Sequence, residues 1–298
     1  MTTFTGRTVA ITGAGGGIGR AHALLFGSLS ANVVVNDLGG DVHGEGAGGA
    51  AEQVVQEIRT AGGEAVASTD SIATPEGGAA VVEAAISAYG RLDAVVHNAG
   101  ILRDRSLPNL SPDDVESVLA VHLTGAFNIL RPAYPHMREQ GYGRIVLTSS
   151  SSGLFGNFGQ GNYGAAKAGL VGLMNVLALE GARHGILVNA VSPTAATRMT
   201  EDLLGDLAER FDPAHVAPVV AYLCSERCTL THHILSVGGG RVARIFLGVT
   251  PGIYFGAEPT TPDEIERRLD EILDIEGFVI PEGGADEVAL IQRVLADG

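Results

Sequence analysis

The sequence predicts an α/β fold, a doubly wound, seven-stranded parallel sheet with helices on both faces. Three observations predict it. Short, continuous apolar runs of strand length recur along the chain, as expected for strands buried on both sides. Patterns of helical period fill the intervals, and regular β-α alternation implies parallel strands with crossover helices. A cluster of glycines from Gly13 to Gly19 stands where the first strand gives way to the first helix.

The elements follow in order. Val9-Ala10-Ile11 is the first strand, and Ile18 to Leu29 the first helix. Val33-Val34-Val35 is the second strand, with a helix from Ala50 to Ala61. Glu64 to Ala67 is a weaker third strand, followed by a helix from Gly77 to Tyr89. Ala94-Val95-Val96 is the fourth, and one long helical pattern follows from Ser111 to Gln140. Arg144 to Leu147 is the fifth strand, ahead of a helix from Tyr163 to His184. Leu187 to Val191 is the sixth, with a helix from His215 to Cys224, and Ile234 to Val237 is the seventh. The core is complete near Gly240. Beyond it, Thr261-Pro262-Asp263-Glu264 is a helix start: Thr caps, Pro enters the first turn and Glu closes a capping box. That helix is expected to reach Ile275, in a tail packed on the core.

Composition excludes several classes of function. The chain has 298 residues, 45% of them hydrophobic, enough for a sizeable core. A net charge of −15 repels nucleic acid and anionic membranes. Trp is absent and aromatics are 5%, against a surface for stacking bases. Cys224 and Cys228 read as reduced packing residues, since a zinc site would need a second pair, and His232-His233 reads as a loop pair. Met1 to Arg7 is polar, so no signal peptide is expected. The longest apolar stretch, Ala168 to Leu179, is interrupted and too short for a bilayer. The expectation is a cytoplasmic protein with no nucleic-acid or membrane partner and no metal.

The glycines carry the first chemical implication. Thr12-Gly13-Ala14-Gly15-Gly16-Gly17-Ile18-Gly19 follows a strand and opens a helix. Glycines let the backbone approach a pyrophosphate, and a helix N-terminus favours negative charge. In this context the turn reads as a dinucleotide site, with Gly13, Gly17, Ile18 and Gly19 at the cofactor. Asp37, after the second strand, can accept from both ribose hydroxyls of NAD and repel a 2′-phosphate. No Arg or Lys follows it closely, so NAD is expected over NADP. Asn98-Ala99-Gly100 ends the fourth strand, where small residues leave room for a ligand beyond the strand ends. Asp70 is either a partner of the adenine amine or a solvated loop acid.

Tyr163 and Lys167 lie four apart, on one face of a helix, with Ser150 upstream. A phenol of pKa ~10 is a poor base at neutral pH. An ammonium beside it favours the phenolate. Ser150 would hydrogen-bond the substrate oxygen, so the three groups can move a proton on and off an alcohol while a nicotinamide exchanges the hydride.

In order and spacing, the glycine turn, Asn98-Ala99-Gly100, Ser150, Tyr163 and Lys167 resemble the short-chain dehydrogenase/reductase family over about residues 5–240. The resemblance implies a Rossmann-type dinucleotide-binding catalytic domain over 1–240, with 241–298 as a C-terminal extension. It implies that Tyr163 is the catalytic acid/base, that Lys167 lowers its pKa and binds the nicotinamide ribose, and that Ser150 orients the substrate oxygen. Pro193 and Thr197 would line the nicotinamide side. The family's usual Asn in a VNLxG-like segment is replaced in Val121-His122-Leu123-Thr124-Gly125. In the family that Asn holds a water linking the lysine to solvent; His122 either takes over this relay or packs within its helix.

Longer segments narrow the resemblance: Asn36 to Asp41, Asn98 to Ser106 and Gly153 to Tyr163. They are similar to the (3R)-hydroxyacyl-CoA dehydrogenase portion of type 2 peroxisomal multifunctional enzymes, also called 17β-hydroxysteroid dehydrogenase type 4. Those proteins carry further hydratase and sterol-carrier domains; here a stand-alone, bacterial relative is expected. The reaction implied is NAD-dependent oxidation of a (3R)-3-hydroxyacyl-CoA. A hydroxysteroid dehydrogenase and a 3-oxoacyl reductase are the alternatives, since Leu154, Phe155 and Phe158 would welcome any apolar substrate. Arg103, Arg105, Arg198, Arg241 and Arg244 could balance the charges of CoA, although Arg103 and Arg105 read first as structural ion-pair partners of Asp104 or a neighbour. Gly39 to Gly49 is a flap or a plain loop. By the same resemblance, the Ser111–Gln140 and Gly161–Leu179 helices form a subunit interface, in a homodimer or homotetramer.

Overall fold

The computed structural model describes residues 2–41, 43, 46, 48–196 and 209–297. The first half of the sheet comprises β1 (Thr8–Thr12), β2 (Asn32–Asn36), β3 (Glu64–Ser68) and β4 (Ala94–His97). The second comprises β5 (Gly143–Thr148), β6 (Ile186–Pro193), β7 (Ile234–Gly238) and β8 (Arg241–Ile245). The spatial order is β3-β2-β1-β4-β5-β6-β7-β8. The first seven run parallel, in registers such as Ile11 beside Val35 and Val96. Every residue of β1, β4 and β5 is buried, which explains the apolar runs within them.

The eighth strand corrects the expectation of seven. Gly239 (φ 56°) and Gly240 (φ 80°) are both left-handed, as a two-residue hairpin turn requires. The turn lays Arg241–Ile245 along the outer edge of β7. Its residues are half-exposed, so no apolar run announced it.

Helices α1 (Gly17–Ser28) and α2 (Ala50–Thr60) pack together over β1 to β3. Helix α3 (Pro75–Tyr89) starts where Thr74 accepts from the Gly77 amide, and ends at a left-handed Gly90. The expected single helix from Ser111 to Gln140 is three pieces: α4 (Pro112–Leu119), a π turn over Ala120–Thr124, and α5 (Gly125–Gln140). Ser111 and Asp114 make a capping box on α4. In the widened turn the His122 carbonyl accepts from His97 Nε2 at 2.7 Å. A buried side-chain donor thus competes for a backbone acceptor at the break. The described helices among the strands of the second half are α6 (Ser151–Leu154), α7 (Gly161–Gly181) and α8 (Ala217–Cys224).

With the 3₁₀ turn that follows it, α7 spans Gly161–His184, 24 residues long and apolar enough to cross a bilayer by length and composition. This corrects the reading of that stretch as too short. The helix lies against β5 and β6, with Lys167, Leu170, Val171 and Met174 buried. Cys224 and Cys228 are buried and free. His232 and His233 bond separately, to Asn175 and to the Thr231 carbonyl. Among the described residues no group of three His, Cys, Asp or Glu is placed to hold a metal.

The chain divides into two compact units, Met1–Arg244 and Ile245–Gly298. In the second, Thr261 accepts from the Glu264 amide and opens α9 (Pro262–Arg267). The expected helix to Ile275 breaks at Arg268 and resumes as α10 (Leu269–Ile272). An unforeseen α11 (Gly284–Asp297) follows. Phe246 and Phe278 stack at 5.6 Å beside an antiparallel bridge between Val249 and Val279.

Candidate active site

The carboxyl ends of β1, β2 and β4 meet at the glycine turn. Gly13 is left-handed (φ 64°), and a Cβ there would lie 2.6 Å from the Ala99 Cα. A Cβ on Gly19 would collide with the Gly13 carbonyl. The turn is therefore pressed against Asn98-Ala99-Gly100, and only glycine fits. Asn98 Nδ2 donates to the Thr12 and Gly13 carbonyls at 3.2 and 3.1 Å. The Thr12 hydroxyl accepts from the Asn98 and Ala99 amides, each at 3.1 Å. It has its proton left for His97 Nδ1, 3.3 Å away.

Asp37 fastens the turn from the side. Its Oδ2 accepts from the Gly15 amide and its Oδ1 from the Gly39 amide, both at 2.7 Å. A carboxylate has about four lone-pair positions, so acceptor capacity remains. A cavity of about 490 Å³ runs from this turn across the strand ends. Gly13, Gly17, Ile18, Asp37, Asp70 and Asn98 to Gly100 line it. Asp70, exposed at the rim, accepts from the Ser68 hydroxyl at 3.0 Å. The volume lies within the range of small-molecule sites. Gly16 lines the cavity too, next to Gly17 at the start of α1, and a glycine-rich helix N-terminus suits a pyrophosphate. These residues fit a nicotinamide dinucleotide.

The candidate catalytic side chains come from the next strand and helix. Ser150 follows β5 and caps α6, its Oγ accepting from the Ser152 amide at 3.2 Å. Tyr163 sits in the first turn of α7, half-buried, with the Ser150 side chain favouring its charged form. Its amide donates to Asn162 Oδ1 at 2.8 Å, while Asn162 Nδ2 donates to the Arg103 and Asp114 carbonyls at 3.0 and 3.1 Å. Lys167, one turn on, is 2% exposed. Its Nζ donates to the Thr148 carbonyl at 2.6 Å and lies 5.6 Å from the Tyr163 ring centroid.

The electrostatics depart from expectation. Burial raises the Tyr163 pKa; the Ser150 hydrogen bond opposes that, and the Asp104 charge adds to it. Burial also lowers Lys167 to about 7. The expected lowering of the phenol by the ammonium is thus corrected in the site as the protein alone builds it. The ammonium lies 5.6 Å from the ring centroid and is itself desolvated, and the cost of burying a phenolate wins.

His122 is 1% exposed in the π turn. Its Nε2 lies 3.0 Å from the Ile101 amide and 2.8 Å from the Ile101 carbonyl. Its ring meets that of Tyr163 edge-on at 5.2 Å. Burial first, then Lys167, holds its pKa well below the ordinary value, so the imidazole is neutral. Its Nδ1 and the Thr148 hydroxyl are buried without a partner. His122 is thus packed against the catalytic pair and retains an unspent nitrogen, which fits either role foreseen for it. Gly100 makes room for this ring, since a Cβ there would strike His122 Cε1.

The structure therefore brings Ser150, Tyr163, Lys167 and His122 together, and gathers the glycines, Asp37, Asp70 and Asn98 to Gly100 at the adjoining cavity. Pro193 ends β6, half-buried and opposite Val237. Thr197 and Arg198 lie outside the described residues. Thr12, His97, Gln160 and Asn162 were missed. Polar residues at strand ends and just ahead of Tyr163 were the available signal.

The short chain dehydrogenase family profile matches residues 7–207. A short-chain type dehydrogenase/reductase of Mycobacterium tuberculosis is 52% identical over 92% of this chain and 96% of its own length. Peroxisomal multifunctional enzyme type 2 of Mus musculus is 45% identical over 98% of this chain, which spans only 40% of that enzyme. The structure of full-length peroxisomal multifunctional enzyme type 2 from Drosophila melanogaster superposes with a TM-score of 0.85 at 38% identity. That match covers 99% of this chain and 50% of the other.

Proposed function

This chain belongs to the short-chain dehydrogenase family and is an oxidoreductase acting on secondary alcohols with a nicotinamide cofactor; on that premise we propose that it oxidises (3R)-3-hydroxyacyl-CoA to 3-oxoacyl-CoA with NAD. One observation carries the reading. The likeness to the mouse multifunctional enzyme runs through 98% of this chain, the second compact unit included.

The roles follow from the geometry. The bound cofactor supplies the hydride acceptor. The glycine turn and Asn98 to Gly100 hold it, and Asp37 selects NAD by accepting from ribose hydroxyls and repelling a 2′-phosphate. Tyr163, as phenolate, takes the hydroxyl proton. Ser150 donates to the substrate oxygen as negative charge develops on it. Lys167 supplies positive charge behind Tyr163. Phe155 and Phe158, 73% and 93% exposed beyond Ser150, offer an apolar surface to the acyl chain.

Initial-rate NAD reduction tests this with (3R)-3-hydroxyacyl-CoA, its (3S) isomer and a 17β-hydroxysteroid, repeated with NADP. A (3R)-specific rate with NAD supports the proposal. A rate with the steroid alone, or with NADP alone, overturns it in favour of steroid oxidation or 3-oxoacyl reduction. A homodimer or homotetramer through α5 and α7 belongs to the same proposal, motivated by exposed Phe127, Val176 and Leu179. A monomer in light scattering would contradict it. A cytoplasmic location is proposed from the two free, buried cysteines.

A further inference from the structure

We propose that a second cavity, framed by Arg103 and Arg105, binds a phosphate group of the thiol carrier of the substrate, with Arg105 as its main cationic contact. This rests on the acyl-CoA reading above.

The cavity measures about 270 Å³, and His43, Arg103, Asp104, Arg105 and Asp114 line it. Every lining residue is ionisable, so this is no apolar packing defect. It shares His43 and Arg103 with the cofactor cavity, whereas Arg105 lines this one alone. The cofactor's own pyrophosphate is provided for at the start of α1, which leaves Arg105 to a different anion.

The guanidinium groups are underused. Arg103 Nε is buried without a partner. Its Nη2 reaches the His43 carbonyl at 3.3 Å. Contacts to Asp114 are long, 3.9 Å from Arg103 and 3.4 Å from Arg105. The two carboxylates have nearer partners. Asp114 Oδ2 accepts from the Ser111 amide at 3.1 Å within the capping box. Asp104 Oδ2 accepts from Gln160 Nε2 at 2.5 Å. Each guanidinium has five N–H donors in a planar fork that matches phosphate oxygens. The Arg105 side chain is 62% exposed, so an anion can reach it without complete dehydration.

The same contacts tie this cavity to the chemistry. Asp104 bonds Gln160, Arg105 bridges Gln160 through the backbone, and Asn162 bonds the Arg103 carbonyl. Gln160 and Asn162 lead directly into Tyr163. The arginine loop is therefore pinned to the segment that delivers the catalytic phenol. A phosphate held at Arg105 would set how far the hydroxyl of the acyl chain reaches toward Tyr163. In a chain of net charge −15, a polyanionic substrate needs such a local cationic contact.

The test compares one 3-hydroxyacyl group on CoA and on pantetheine, which lacks the phosphates, in wild type, Arg105→Ala and Arg105→Lys. Arg105→Ala should lower the kcat/KM preference for the CoA thioester about tenfold, mainly through KM, and Arg105→Lys should restore most of it. An unchanged preference overturns the proposal. So does an equal loss on both thioesters, or a loss confined to the KM of NAD or NADP. Calorimetric binding of CoA and of pantetheine, without turnover, separates the two hypotheses. If neither thioester is oxidised but Arg105→Ala still weakens CoA and not pantetheine, the subsite stands and the proposed reaction falls. If CoA binds wild type and Arg105→Ala alike, the subsite falls.

Discussion

The side of the site proposed for the cofactor, at the ends of β1, β2 and β4, is shaped by close backbone approach at glycines. The catalytic side, at the end of β5 and the start of α7, is made of buried ionisable side chains. On the first side the controlling quantity is space: glycines let strand ends and a helix start approach each other. On the second it is solvation. Lys167 is held to about 7 and the Tyr163 phenol is raised, both chiefly by burial. Steric requirements are visible in residue identity. Desolvation is not, because it depends on what the fold packs around each group.

The contrast can be broken by experiment. Tyr163→Phe removes the phenol proposed to take the alcohol proton. Its kcat should fall roughly a hundred- to ten-thousandfold, with NAD affinity by fluorescence titration nearly intact. Near-normal turnover would sink the mechanism. Ser150→Ala should cost about a hundredfold in kcat, with the cofactor again still bound. On the backbone side the pattern should invert. Gly13→Ala meets Ala99 and a left-handed φ, so NAD binding should weaken roughly tenfold and thermal stability fall together with turnover. Asp37→Ala should relax the preference for NAD over NADP and loosen the turn, since it frees the Gly15 and Gly39 amides.

The smallest effect sharpens the solvation side. Burial lowers His97 to about 4 and His22 to about 3. The folded state keeps both neutral while the unfolded chain takes up protons below ~6.5. Stability should therefore fall as pH drops from 6.5 toward 4, and these two groups should leave it flat above 6.5. Urea midpoints across that range check the sign; midpoints that stay flat on acidification would show that these histidines are solvated. Alcohol oxidation should conversely quicken above neutrality, because burial holds Tyr163 in its protonated form.

How much was legible differs by element. The seven parallel strands were, because buried parallel strands are unbroken apolar runs with Val and Ile at their centres. β8 was not, since a half-exposed edge strand needs no such run. The helix from Ser111 to Gln140 read as one because its period continues through Ala120–Thr124, and only His97 pressing on the His122 carbonyl reveals the π turn. Ser150, Tyr163 and Lys167 were legible from spacing. Asn162 and Gln160 were not, since their worth lies in bonds to Arg103 and Asp104, more than fifty residues away.

The sequence by itself determined the strand–helix order, the glycine turn, the acid at Asp37 and the i, i+4 pairing of Tyr163 with Lys167. These are local properties of chain stiffness, side-chain volume and helical period. Only the tertiary structure decided which strand ends meet, how His122 packs on Tyr163, where Arg105 stands relative to the phenol and which way each pKa moves. Those depend on contacts between distant segments and on the water that packing excludes.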